Sequence, residues 1–125
     1  MNQSPEAVLD QLYAQLNSLD LGALRALFWP WALLVRAVEP QSPLTFDAWA
    51  AGLPTVFTEH EEVELSRQLE VHGLAARATS RFRIRSRSSK ATLREGTNLV
   101  TFTQSAGAWR IAAVAWVVDS RGAAL

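Results

Sequence analysis

Two hydrophobic spacings divide the chain. Up to residue 57 apolar side chains recur three and four positions apart; from residue 62 they recur every second position. Within residues 5–17, Val8, Leu9, Leu12, Tyr13 and Leu16 form one helical stripe, with Ser4 as cap and Pro5 in the first turn. Asp20 caps a second short helix carrying Leu24, Leu27 and Phe28, and Pro30 stops it. Residues 31–38 (WALLVRAV) predict a short strand and 39–43 (EPQSP) a loop. Thr45 caps a third helix whose Phe46, Trp49, Ala50, Leu53 and Phe57 share a face. Pro54 predicts a kink or break near Gly52 and Leu53.

The remainder predicts sheet. Strands 62–71 and 74–85 flank a turn at His72-Gly73, which pairs Val71 with Leu74, Leu69 with Ala76 and Val63 with Phe82. On the opposite face the same register sets Glu64 against Arg81 and Glu62 against Arg83. Residues 86–95 are an exposed connection. Strand 96–104 turns through Ser105-Ala106-Gly107-Ala108 into 109–119, so Phe102 opposes Ile111, Val100 opposes Ala113 and Asn98 opposes Ala115. The other face sets Thr97, Leu99, Thr101 and Thr103 against Trp116, Val114, Ala112 and Arg110.

The last strand is apolar on both faces. Three helices followed by a long antiparallel sheet make an α+β domain, with the helices on the face of Val100, Phe102, Ile111, Ala113 and Val117. That leaves Leu99, Thr101, Val114 and Trp116 uncovered, and the expected cover is a second copy of the chain.

Length and composition narrow the class. A chain of 125 residues is one domain, 1–125, and 49% hydrophobic with 19% charged residues is globular. Net charge is zero, which removes any overall attraction to nucleic acid or an anionic membrane. Charge is nonetheless segregated: residues 39–70 hold seven acids and one base, residues 77–94 seven bases and no acid. The proposed cross-strand pairing accounts for this. There is no cysteine, so no disulfide or thiolate metal site. The start, MNQSPEAVLDQLY, lacks the basic-then-apolar order of a signal peptide, and no apolar run reaches the roughly 18–20 residues a bilayer needs. The expected location is cytoplasmic.

Two stretches carry a family resemblance: YAQLNSLDLGALRALFWPWALLV, a helix, Asn-x-x-Asp turn, helix and strand, and GTNLVTFTQSAGAWRIAAVAW, the last two strands. Together they resemble the nuclear transport factor 2-like superfamily, which includes SnoaL-like cyclases and ketosteroid isomerases. The resemblance spans nearly the whole chain. It implies a cystatin-like α+β roll: a cone-shaped sheet wrapped around the helices, with an apolar pocket and dimerisation through the outer sheet face. By position, the isomerases' first-helix Tyr falls at Leu12, beside Tyr13, the base on the first strand near Arg36, and the second acid near Asn98. A guanidinium at Arg36 cannot take a proton at neutral pH, and the last-strand positions Ala113 and Ala115, where related cyclases carry His or Asp, do no acid–base chemistry.

The candidate residues follow. Tyr13, Trp31, Trp49, Phe57, Val100 and Phe102 would wall a pocket for a small, largely apolar or weakly anionic molecule, with Asn98 and Arg67 as polar anchors. Arg67 falls on the apolar face of its strand and needs either an internal carboxylate, such as Asp119 or Asp47, or an anionic ligand; a bulge would turn it outward. Asp119, Tyr13 and Asn98 are the available acid–base actors. His60, among carboxylates, could bind a metal or act as a base but reads as part of a solvated acidic helix end. His72, at the turn, reads as structural or neutral. Arg81, Arg83, Arg85 and Arg87, which could hold an anion or an RNA backbone, read as a solvated or dimer-facing ladder partly neutralised by Glu62 and Glu64. No metal or cofactor motif is present. Three functions remain: a ligand-binding homodimer, a SnoaL-like lyase, isomerase or hydrolase, or a protein-interaction module.

Overall fold

The computed structural model describes residues 3–120. The chain runs α1 (Pro5–Ser18), α2 (Leu21–Arg25), β1 (Phe28–Arg36), β2 (Leu44–Thr45), α3 (Phe46–Ala51), α4 (Leu53–Phe57), β3 (His60–His72), β4 (Ala75–Ser86), β5 (Thr92–Ser105) and β6 (Ala108–Ser120). Six strands form one curved sheet in the order β2-β1-β6-β5-β4-β3, and the helices cover its concave face. The sheet is mixed rather than wholly antiparallel, because β1 runs parallel to β6.

Local chemistry sets the helix boundaries. Ser4 Oγ accepts from Ala7 N–H, Asp20 Oδ1 from Ala23 N–H and Thr45 Oγ1 from Ala48 N–H. The third predicted helix is divided at Gly52 into α3 and α4, with Pro54 in the first turn of α4. Pro30, expected to end the second helix, instead lies inside β1, which begins at Phe28 and shifts register between Phe28 and Leu33. Such an irregularity accommodates a residue with no N–H. Strand β5 begins at Thr92, within the expected connection.

Two single-residue bulges correct the face assignments. The β3–β4 turn is Gly73-Leu74, with φ 60° at Gly73, so Val71 pairs with Ala76 rather than Leu74. A glycine first in a two-residue turn suits type II′ geometry, whereas the His72-Gly73 placement would have put the left-handed residue on His72. The register slips again between Glu64 and Ser66. Beyond that slip Glu62 pairs with Ile84 and Glu64 with Phe82, so both acids point to the helix side. The arginine ladder takes other partners: Arg83 bonds Glu95, Arg85 bonds Glu61, and Arg81 reaches Asp119.

The second bulge lies at Ala112, between the pairs Phe102–Ile111 and Thr101–Ala113. Ile111 keeps its expected inward position, but Val114, Trp116 and Val118 turn inward after it, and Leu99, Thr101, Ala113, Ala115 and Val117 lie outward. Val114 and Trp116 are therefore not on the outer face where the sequence put them.

The core includes the α1 stripe (Val8, Leu9, Leu12, Leu16), Leu24, Phe28, Leu34, Phe46, Phe57, Ala76, Ala78, Phe82, Val100, Phe102 and Ile111. Gly96 permits a close approach in the sheet: a Cβ there would stand 2.1 Å from Val117 O and 2.6 Å from Phe82 Cζ. Among the described residues no helix is long and apolar enough to cross a membrane.

Candidate functional site

Between α1, α3, α4 and the concave sheet lies a cavity of about 270 Å³. Its walls are largely apolar, including Leu12, Phe28, Trp49, Phe57, Phe82 and Trp116. Four polar side chains reach it: Arg36, Glu62, Arg94 and Asn98. Glu62, Ser80 and Asn98 are the buried polar or charged residues among those described, so a carboxyl at 7% exposure inside an apolar wall is the unusual feature here.

The backbone of Glu62 is held by α1. Asn17 Oδ1 accepts from Glu62 N–H at 2.7 Å, and Asn17 Nδ2 donates to Glu62 C=O at 2.7 Å. Strand β3 is the edge of the sheet; Asn17 supplies to one residue of it what a further strand would. Arg87 closes the same corner, donating to the carbonyls of Asn17 and Phe57 at the ends of α1 and α4.

The side chain of Glu62 accepts from Asn98 Nδ2 at 3.0 Å. The same nitrogen lies 3.1 Å from Tyr13 Oη, which lies 2.7 Å from Ser80 Oγ. Ser80 donates to Glu64 Oε2 at 2.5 Å, and Arg67 clamps Glu64 through Nε at 3.0 Å to each oxygen. Arg67 also reaches Asp10 at 2.5 Å. A continuous polar chain thus runs from half-buried Arg67 to the cavity.

Burial pushes the Glu62 carboxyl up to about 7, against the lowering influence of the Asn98 hydrogen bond and the Arg94 charge. Burial likewise raises the Tyr13 phenol, helped by the nearby Glu62 charge, so it stays protonated. A carboxyl that titrates near neutrality in a desolvated pocket can take or give a proton there.

The sequence-predicted residues are distributed as follows. Trp49, Phe57 and Asn98 line the cavity. Tyr13 sits behind Asn98, and Val100 and Phe102 are packed in the core. Trp31 is 63% exposed, stacked on Trp29 at 6.4 Å, away from the cavity. Arg67 does pair with carboxylates, but these are Glu64 and Asp10 rather than Asp119 or Asp47, and it does not line the cavity. Asp119 bonds Arg81 at 3.2 Å at the sheet's other side, and His72 is exposed beside Glu70. Arg36 lies at the cavity beside its cross-strand neighbour Trp116.

Glu62 escaped the sequence reading. The strand alternation of EEVEL puts Val63 and Leu65 inward and the acids outward, and only the bulge reverses it. One signal was present: Glu64 and Arg67 are three apart, a spacing that brings opposite charges together when a bulge intervenes.

No family model and no curated protein matches the chain. Solved structures do. An NTF2-like protein with a cystatin-like fold from Novosphingobium aromaticivorans aligns with TM-score 0.77 at 17% identity, over 94% of this chain and 80% of that one. A cystatin-like-fold protein of unknown function from Nostoc punctiforme aligns with TM-score 0.76 at 11% identity, over 95% and 96%. An NTF2-like protein from Cytophaga hutchinsonii gives TM-score 0.72 at 16% identity, over 94% and 99%. What such identities share is architecture: the chain has the cystatin-like fold of the NTF2-like proteins.

Proposed function

We propose that the cavity binds a small, largely apolar molecule carrying one polar, weakly acidic group, which Glu62 and Asn98 meet. The buried Glu62 carboxyl carries this reading. Burying a carboxyl costs several kcal/mol unless it is well paired, and the single side-chain bond from Asn98 leaves accepting capacity on Glu62. Apolar walls supply affinity, and a few polar groups supply orientation. The test is calorimetric titration with 2-naphthol, a flat, weakly acidic probe. Saturable binding that is lost in Val118→Trp, which fills the cavity from its sheet wall, supports the reading; no saturable heat at millimolar probe overturns it.

The same carboxyl favours a second reading, an acid–base enzyme. Glu62, rather than Asp119, Tyr13 or Asn98, would move the proton, with Arg36 and Arg94 at the cavity to balance developing negative charge. Pairing with a second copy is the remaining part of the proposal. Leu99 is 45% exposed on the outward face, flanked by Thr97, Thr101, Ala113, Ala115 and Val117. A two-fold axis through β5 and β6 would cover this patch with its own copy.

A further inference from the structure

What sets the proton on Glu62 can be followed bond by bond, given the reading of Glu62 as the group that meets the ligand. A hydroxyl has one hydrogen to give, an ionised carboxylate has none, and an amide nitrogen only donates. Arg67 Nε lies 3.0 Å from both oxygens of Glu64 and Nη2 lies 2.5 Å from Oε1, so Glu64 is an acceptor. Ser80, 2.5 Å from Glu64 Oε2, gives its hydrogen there. It must then accept from Tyr13, 2.7 Å away. Tyr13, its hydrogen committed to Ser80, must accept in turn, and its remaining neighbour in the chain, at 3.1 Å, is the Asn98 side-chain amide. That contact is therefore the amide nitrogen. The same nitrogen lies 3.0 Å from Glu62 Oε2 and turns its second hydrogen to it.

We infer that Glu64, held by Arg67, fixes through Ser80, Tyr13 and Asn98 which end of the Asn98 amide faces Glu62, and so keeps that carboxyl a proton acceptor. The chain has two polarities. With the Ser80 hydrogen pointed the other way, Tyr13 would donate to Asn98, the amide would turn over, and its oxygen would face Glu62. Glu62 could satisfy that oxygen only by carrying a proton. The ion pair at the sheet edge selects the first polarity. Glu64 and Arg67 are thus positioning residues, acting through three neutral side chains.

Arg94 also acts on Glu62, lowering it by its charge, and the substitutions below leave Arg94 in place. Helix α1 presents Tyr13 and Asn17, β5 presents Arg94 and Asn98, and β1 presents Arg36. Strand β4 and helix α4 present Phe82, Ile84, Leu53 and Phe57, which carry no charge.

The experiment is a carbon-13 NMR titration of the glutamate side-chain carboxyls in the whole chain without ligand, with Glu62 assigned from Glu62→Gln. Ser80→Ala cuts the chain without altering charge. Glu64→Leu removes its acceptor. In both, the Glu62 midpoint is expected to rise by about one pH unit, a tenfold tighter hold on the proton. Loss of the Glu64 negative charge, acting alone through space, would lower the Glu62 midpoint, so the sign separates the two effects. A midpoint unmoved or lowered in Ser80→Ala overturns the inference, as does a fall in Glu64→Leu. If Glu64→Leu does not fold, Ser80→Ala, which loses one oxygen, decides alone. No ligand enters the titration, so failure to bind 2-naphthol leaves this result standing, and a static midpoint leaves the binding reading standing.

Discussion

Asn17 bonds Glu62 twice, accepting from its N–H and donating to its C=O, both at 2.7 Å. One side chain at the end of the first helix therefore fixes the residue that gives the cavity its ionisable group. Asn17→Ala removes both bonds and leaves an edge-strand amide and carbonyl without partners. We expect a loss of about 2 kcal/mol, from roughly 1 kcal/mol per bond, read as a lower urea midpoint with an unchanged slope.

Stability should depend on pH through Glu62. Its carboxyl is raised from 4.5 to about 7 by burial, so the folded state holds the proton more tightly than the unfolded chain. The contribution is complete below about 4.5 and is lost as pH rises through about 7. Glu62→Gln, which cannot ionise, should gain on the wild type across this window. The gain at pH 8 over that at pH 4 is expected to be on the order of 3 kcal/mol, measured as the difference between urea melts of the two proteins. Equal curves at both pH values would refute a neutral-range Glu62.

Gly96 should tolerate no side chain. The atom that an added Cβ meets first is a backbone oxygen, Val117 O at 2.1 Å, in the neighbouring strand, so moving it means shifting the β5–β6 pairing. Gly96→Ala is expected to cost about 3 kcal/mol or more, the upper end of overpacking, seen as a sharp fall in thermal midpoint. A cost below about 1 kcal/mol would mean that the sheet yields there easily.

The two faces of the last strands give opposite predictions for two substitutions. Leu99→Glu, on the outward face, should abolish self-association in sedimentation at micromolar concentration while leaving the fold intact. Trp116→Glu, in the cavity wall, should destabilise the fold by a few kcal/mol through loss of the indole's packing against the core. A protein that sediments as a monomer before any substitution would remove the two-fold pairing from the proposal.

Much of this architecture is legible in the chain itself. Helix α1 follows from the spacing of Val8, Leu9, Leu12 and Leu16, and all three expected caps, Ser4, Asp20 and Thr45, accept the bonds their positions require. The break at Gly52-Leu53-Pro54 is equally local. Asn98 stands in the cavity because alternation counted from the Ala106-Gly107 turn, through Phe102 and Val100, places it inward. These features depend on contacts within a few residues, or within one hairpin strand free of bulges up to that point.

Glu62, Val114 and Trp116 could not be placed that way. Strand alternation has a period of two, so one extra residue at Leu65 or Ala112 reverses every side chain beyond it. Whether that residue is inserted depends on how the curved sheet meets α1, where Asn17 grips Glu62, and on Arg67 finding Glu64 and Asp10. Periodicity determined that these segments would be helices and strands. Only the packing of distant segments decided which way the strands face, and with it that a carboxyl lies inside.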